Sequence, residues 1–357
     1  MKIAIPRLYL GSMTFAWGSQ TSSVVDESVA SEMMRRFVQA NQDLDVKDHR
    51  LDTARVYAGG NTEPMVGEVL KRCDAGKAVL VGTKAHPSVQ PGGLSPDGMR
   101  QQFQDSITAM NVPSVEEYYL HQPDTEHPLL DSLRCAHALV QDGKVNVVGM
   151  SNYHVSEMAR AFALCKEHNL TPPTVYQGLY NPLNRLVEAE LLPLLKANNC
   201  AFVAYNPLAA GLLTGKHKSR DDVAKGRFQN NPNYLPRFYT DSNFQALALI
   251  REACDHNEIS MIEATYRWLL RHSKLTPSDG LLLGASSLEQ LDQNLASCKA
   301  AASQDDGGLP DDVLEAFEKA WSITEASSFP YWRSYSSDMP GRESLDQGAS
   351  YNAAKTK

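Results

Sequence analysis

The chain has 357 residues, 42% of them hydrophobic and 21% charged, with 34 Lys and Arg against 42 Asp and Glu for a formal charge of −8. This is ordinary globular composition, long enough for one large barrel or two small domains. The acidic balance, with no basic block, argues against nucleic acid or an anionic membrane as the main partner, and no apolar run reaches the roughly 18 residues that would span a bilayer.

The opening Met1-Lys2-Ile3-Ala4-Ile5-Pro6 is broken by Pro6 too soon for a signal peptide. From there, short β-rich runs stand at residues 8–11, 50–53, 79–83, 117–121, 145–150, 174–177, 201–205 and 280–283. Amphipathic stretches lie between them, at 27–40, 96–110, 129–141, 155–167, 187–198 and 288–297. Alternation repeated eight times predicts a parallel α/β structure, a (β/α)8 TIM barrel. A doubly wound sheet is the alternative, but it usually shows G-x-G-x-x-G after its first strand, and this sequence has none.

One spacing stands out. Roughly 75 residues separate the last two runs, and 208–242 is rich in Gly, Asn, Pro and basic residues with little periodicity. A connection of that length reads as a lid or binding loop, or as a disordered insertion. An extra helix is expected at 244–256, the seventh barrel helix at 261–272 and a last helix at 311–321, after Pro310. Residues 1–335 read as one domain, and 336–357 as a polar, flexible C-terminal tail.

Cys73, Cys135, Cys165, Cys200, Cys254 and Cys298 sit singly in apolar surroundings, with no C-x-x-C pair. That pattern suits buried free thiols in a reducing, cytoplasmic location. The ten histidines form no H-x-H or H-E-x-x-H, so no metal site is expected.

Barrel chemistry sits at the C-terminal ends of the strands. The polar residues ending or following these runs are Asp52 with Tyr57 five residues on, Lys84, His121, Ser151-Asn152, Gln177, Tyr205-Asn206-Pro207 and Gly284-Ala285-Ser286. Each has an ordinary structural reading alone: a capping Asp, a half-buried loop Tyr, a solvated Lys, a satisfied core His. Together they place an acid, a phenol, an amine and an imidazole on successive strand ends. A free phenol has a pKa of about 10, too high for efficient proton donation at neutral pH. An adjacent ammonium favours the phenolate, a carboxylate keeps that ammonium charged and oriented, and an imidazole can hold a carbonyl oxygen. Such a set suits carbonyl reduction, and because side chains cannot supply hydride it requires a nicotinamide cofactor.

The motifs also resemble the aldo-keto reductase family. The segments are D-T-A-x-x-Y (52–57), T-K-A (83–85), Y-L-H-x-P-D (119–124), G-x-S-N-Y (149–153) and N-P-L-A-x-G-L-L-T-G-K (206–216), in the family's order. Within it the chain is most similar to the aflatoxin-aldehyde reductase subgroup, through T-V-Y-Q-G-x-Y-N (174–181), G-R-F (226–228) and S-S-L-E-Q-L-x-Q-N (286–294). The resemblance spans about residues 8–333 and implies NADPH-dependent reduction of aldehydes or ketones.

Position by position, the resemblance implies that Tyr57 is the proton donor, Lys84 lowers its pKa, Asp52 pairs with Lys84 near the nicotinamide ribose, and His121 positions the carbonyl. It assigns the nicotinamide carboxamide to Ser151, Asn152 and Gln177, and the underside of the ring to Tyr205. Asn206, Pro207, Leu208, Gly211, Leu212 and Lys216 belong to the loop over the pyrophosphate, with Arg227 a further phosphate partner and Met13 another cofactor contact. Ser286, Ser287, Gln290, Gln293 and Asn294 surround the adenosine 2′-phosphate, which favours NADPH over NADH. Independently of the family, Ser286 with Glu289 reads as a capping box, whose helix start is an anion site.

Tyr234, Arg237 and Arg333 match the subgroup's substrate contacts, and two arginines could fork onto a carboxylate. Gln122 stands where a Met is familiar. The resemblance also implies a dimer, although no interface pattern is visible. Two other readings use the same residues: a cofactor-binding regulatory subunit of the channel β-subunit type, and a Schiff-base lyase working through Lys84.

Overall fold

A computed structural model describes residues 2–18, 23–72, 79–221, 223, 227–229, 231–305 and 307–349. Cys73, Gly226 and the expected tail from residue 350 onward lie outside the described residues. Eight parallel strands close into one barrel in chain order. They are β1 (Arg7–Gly11), β2 (His49–Asp52), β3 (Val79–Ala85), β4 (Val115–Leu120), β5 (Val145–Ser151), β6 (Val175–Leu179), β7 (Ala201–Tyr205) and β8 (Gly280–Gly284). The ring closes where β1 pairs with β8, from Arg7 opposite Gly280 to Gly11 opposite Gly284.

Around the barrel run α1 (Glu27–Asp43), α2 (Thr62–Arg72), α3 (Pro96–Met110), α4 (Leu129–Gln141), α5 (Val155–Glu167) and α6 (Leu191–Ala197). The connection after β7 carries α7 (Leu235–Phe238) and α8 (Asp241–His256) before the barrel helix α9 (Met261–Arg267). After β8 come α10 (Leu288–Ala302) and α11 (Asp311–Thr324). No helix among the described residues is long and apolar enough to cross a membrane.

Successive strand residues face opposite sides of a sheet, and the core divides accordingly. Leu8, Leu10, Leu51, Tyr118, Leu120, Phe202 and Leu281 belong to the large core shared with the helices. Their neighbours Tyr9, Tyr119, Val175 and Val203, with Val147 and Leu282 against them, form a separate cluster inside the barrel. The interior set has the parity of Asp52, Lys84, Ser151, Gln177 and Tyr205, so the same alternation that fills the barrel aims those polar groups up its axis. Room for Tyr119 is made by Gly149, where a Cβ would come within 2.3 Å of that ring.

Several boundaries depart from expectation, each for a local reason. The stretch 187–198, expected as one helix, is a 3-10 turn (Leu186–Glu188) followed by α6. Pro193 lacks an N–H and is tolerated only in the first turn, which forces the helix to start late. The seventh barrel helix ends at Arg267 and continues as a π-turn, Trp268–His272. The long connection is pinned where it is described: Phe228 is buried among His217, Phe238 and Tyr239, and Phe238 meets Phe329 edge-on.

The polar stretch after residue 335, expected as a flexible tail, is laid back along the barrel as far as Ala349. Ser336 N–H donates to Glu157 Oε1 (3.1 Å), Ser337 N–H to the Asp124 carbonyl (2.9 Å), and Asp338 accepts from Leu129 N–H (3.0 Å) and pairs with Arg160. These partners belong to distant elements, so composition alone does not show them.

Candidate active site

Lys84, two residues before its strand gives way to loop at His86, is wholly buried. Its ammonium has three N–H donors and three acceptors meet them: Asp52 Oδ1 at 2.6 Å, the Thr53 carbonyl at 2.8 Å and the Tyr57 hydroxyl at 3.4 Å. Burial lowers the pKa of Lys84 from the ordinary lysine value, and the Asp52 carboxylate opposes that shift. Gln177 Nε2 donates to the same Oδ1 at 2.7 Å. Asp52 Oδ2 is buried without a hydrogen-bond partner among the described residues. The Asp52 backbone is tied down as well, its carbonyl accepting from the N–H and hydroxyl of Ser12 at 2.9 Å each.

His121 follows β4, its N–H donating to the Ala85 carbonyl at 2.9 Å. Its ring stands edge-on to Tyr57, with centroids 5.9 Å apart, and edge-on to His86 at 5.1 Å. Burial, with His86, Lys84 and Arg333 nearby, holds its pKa well below the usual histidine value, so the imidazole is neutral at physiological pH. His86 is itself pushed down to about 4, chiefly by burial.

The next strand ends interlock. Asn152, in the left-handed region at φ 64°, donates from Nδ2 to the His121 carbonyl (2.8 Å) and to Ser151 Oγ (2.9 Å), and Oδ1 accepts from Tyr205 Oη (2.7 Å). Its carbonyl takes the Arg333 N–H at 2.9 Å. Arg333 also reaches Gln122 Oε1 at 3.4 Å, which draws the C-terminal segment to the rim. Asp52, Tyr57, Lys84, His121, Ser151, Asn152, Gln177, Tyr205 and Arg333 therefore form one connected group.

Other expected residues make the following contacts. Tyr234 stacks on Phe238, Arg227 lies over the Tyr234 ring at 5.5 Å, and Arg237 lies over Phe329 at 5.6 Å. Asn206 opens the long connection at φ 54°, and the turn that contains Gly211 and buried Leu212 ends at Gly215, just before Lys216. Met13 precedes Thr14, whose hydroxyl bonds the Ala285 carbonyl and joins the first loop to the last. Around α10, Asn294 Nδ2 donates to the Gly284 carbonyl at 3.2 Å, and the Gln293 carbonyl accepts from Ser297.

The helix cap is displaced by one residue. The N-cap of α10 is Ser287, not Ser286, and its Oγ accepts from Gln290 N–H at 3.2 Å. Gln290 Oε1 in turn accepts from Ser286 N–H at 2.9 Å. That back-bond reaches Ser286, the residue before the cap, and not the Ser287 N–H that a reciprocal box uses, so the helix starts one residue later than the S-x-x-E reading of 286–289 places it. Missed from sequence were the Thr53 carbonyl, a backbone group with no residue signature, and Tyr119, whose ring Lys84 overlies at 5.6 Å.

A profile of the aldo/keto reductase family matches residues 7–315. The chain belongs to the aldo/keto reductase family. Among its relatives, "Aflatoxin B1 aldehyde reductase member 2" of Mus musculus is 39% identical over 322 residues, 87% of this chain and 84% of the mouse protein. "Aldo-keto reductase family 7 member A3" of Homo sapiens is 39% identical over 296 residues, covering 79% and 87% of the two chains. A fungal aldo-keto reductase of Pseudocercospora fijiensis is 31% identical over 292 residues, 79% of this chain and 96% of its own. As an aldo/keto reductase the chain is an oxidoreductase, and the polar group above stands at the C-terminal end of its barrel strands.

Proposed function

We propose that this aldo/keto reductase reduces aldehydes or ketones to alcohols with NADPH, Tyr57 delivering the proton to the carbonyl oxygen. The observation that carries this is the Lys84 ammonium, whose three donors are spent on Asp52, Thr53 and the Tyr57 hydroxyl. A cation at that phenol stabilises the negative charge left when its proton departs. Neutral His121 can donate a hydrogen bond to the carbonyl oxygen without competing as an acid.

The chain's residues fit a nicotinamide dinucleotide. Buried Asp52 Oδ2 has no protein donor among the described residues and would accept from a ribose hydroxyl. Ser151 and Gln177 would meet the nicotinamide carboxamide. Asn152, whose amide is engaged by the His121 carbonyl, Ser151 and Tyr205, would keep that cradle in shape, with Tyr205 under the ring. The first turn of α10, opened by Ser287, offers backbone N–H groups of the kind that bind phosphate, which favours NADPH over NADH. When bound, the cofactor supplies hydride to the carbonyl carbon.

Arg333 would face a carboxylate or other anionic group on the substrate, with Arg237 and Tyr234 on the loop side. The test is Tyr57→Phe, assayed with an aldehyde and ketone panel by NADPH absorbance, NADH beside it. Turnover should fall by roughly a hundredfold or more while NADPH binding stays close to normal; wild-type turnover in this variant refutes the proton-donor role.

A further inference from the structure

Tyr57 stands five residues beyond its strand, further than any other of the catalytic four. It sits in a turn, Tyr57–Gly60, in which Ala58 (φ 46°), Gly59 (φ 63°) and Gly60 (φ 94°) are all left-handed. Ala58 carries a Cβ into a region that disfavours it. The turn's own bonds, Tyr57 N–H to the Ala54 carbonyl at 3.1 Å and Asn61 N–H to the Ala58 carbonyl at 3.3 Å, are local, and the phenol must also stay within reach of Lys84 on a different element.

One wholly buried carboxylate bridges the two. Glu63, in the first turn of α2, is fully buried and both its oxygens are engaged. Oε1 accepts from the Thr83 hydroxyl at 2.6 Å, and Thr83 is the residue before Lys84. Oε2 accepts from Arg55 at 3.2 Å. The same Arg55 nitrogen donates to the Gly60 carbonyl at 3.3 Å, and the Arg55 N–H donates to the Lys84 carbonyl at 3.3 Å. Arg55, two residues before the Tyr57 turn, is thus held to Gly60 at its far end, and Glu63 ties them to the lysine strand.

We propose that Glu63, acting through Arg55 and Thr83, is a positioning residue that sets the Tyr57 phenol at hydrogen-bonding distance from Lys84. A buried carboxylate needs such partners wherever it stands, so burial alone does not argue function. What does is the choice of partners: the residue beside Lys84 on one oxygen, and the side chain that closes the Tyr57 turn on the other. Glu63 also adds a negative charge within electrostatic reach of the ammonium.

The inference rests on Tyr57 as proton donor, and its test separates the two. Glu63→Gln keeps the shape but turns an N–H2 toward either Thr83 or Arg55; Thr83→Val removes one hydroxyl and serves as a milder second variant whose fold is checked by thermal melting. The expected result is a fall in kcat of about tenfold in Glu63→Gln and less in Thr83→Val, since small misplacements of reacting groups are costly. The dissociation constant for NADPH, read by protein fluorescence, should stay within about twofold of wild type, because the turn is to shift without emptying the barrel mouth. Ultraviolet difference titration, each protein against its own Tyr57→Phe partner, should show the Tyr57 phenol ionising at higher pH in Thr83→Val, which changes no charge, than in wild type. An unchanged phenol titration in a folded Thr83→Val protein overturns the proposal, as does a loss of kcat in Glu63→Gln matched by equal loss of NADPH binding. If Tyr57→Phe itself keeps full turnover, the proton-donor reading falls and the inference with it; if Tyr57→Phe is inactive and Glu63→Gln is like wild type, the inference alone falls.

Discussion

Replacing Lys84 by Met removes the only side-chain cation that contacts Asp52 among the described hydrogen bonds and ion pairs. Asp52 Oδ1 then retains Gln177 alone, Oδ2 is already without a partner, and the Thr53 carbonyl loses its donor. Breaking a buried pair by deleting one partner costs about 3–5 kcal/mol, mostly the penalty of the stranded charge. Lys84→Met should lose that much in urea unfolding followed by tryptophan fluorescence. Lys84→Met with Asp52→Asn should recover most of it, because an amide in place of the carboxylate leaves no charge uncompensated. Activity should not recover: both variants lack the cation at the phenol, and general-acid catalysis is worth roughly a hundredfold to ten-thousandfold. The divergence is the test, stability returning while turnover does not. A single variant as stable as wild type refutes the buried pair as drawn, and a double variant that regains turnover refutes the role given to Lys84.

The C-terminal segment supplies a pH prediction. Burial raises the Glu157 carboxyl from 4.5 to about 7, so the folded state holds this proton more tightly than the unfolded chain. Its contribution to stability is fully present below 4.5 and lost as pH rises through about 7, about 3 kcal/mol in all. Glu157→Gln should lack that loss, seen as a smaller difference between urea melts at pH 5 and pH 8 than wild type shows; equal differences remove the argument. Arg333→Ala should raise KM for carboxylated aldehydes by about tenfold, as expected for loss of a hydrogen bond to a charged group, and leave neutral ones nearly unchanged. An equal effect on both classes removes the carboxylate contact.

Legibility in the sequence followed the range of the interactions concerned. The strands were readable because their apolar runs are bounded by loop residues, and the polar groups at their ends because parity and the barrel rule place them on one rim. Helix α2 is not among the amphipathic stretches read from the sequence, and it contains Pro64 and Gly67, both poor helix formers. In the structure Pro64 falls in the first turn, where its missing N–H costs little. Gly67 lets α2 lie directly on α3, since a Cβ there would come within 2.7 Å of the Ala109 carbonyl oxygen. The docked segment after residue 335 and the bridge through Glu63 stayed hidden for one reason: their partners are far away in sequence, and each residue alone looks like loop polarity or a helix-start acid.

The same parity explains a feature deeper in the barrel. Two residues before Asp52 on β2 stands Arg50, and two before Tyr119 on β4 stands Glu117; the two are ion-paired. Tyr9 and Tyr119 donate to the two oxygens of Glu117 at 2.9 and 2.7 Å. Barrel interiors are usually filled by branched apolar side chains, and exchanging a buried ion pair for such residues is often neutral or stabilising. Here the lower pair has satisfied oxygens, and the Tyr119 ring separates it from the upper pair, with Lys84 overlying that ring. The lower layer is still felt above it: the Glu117 carboxylate, like that of Asp52, favours the charged form of Lys84 against the burial that disfavours it. Asp52, Glu117 and Glu63 together oppose the desolvation of the Lys84 ammonium, which keeps a cation at the Tyr57 oxygen, the condition the proposed proton transfer requires.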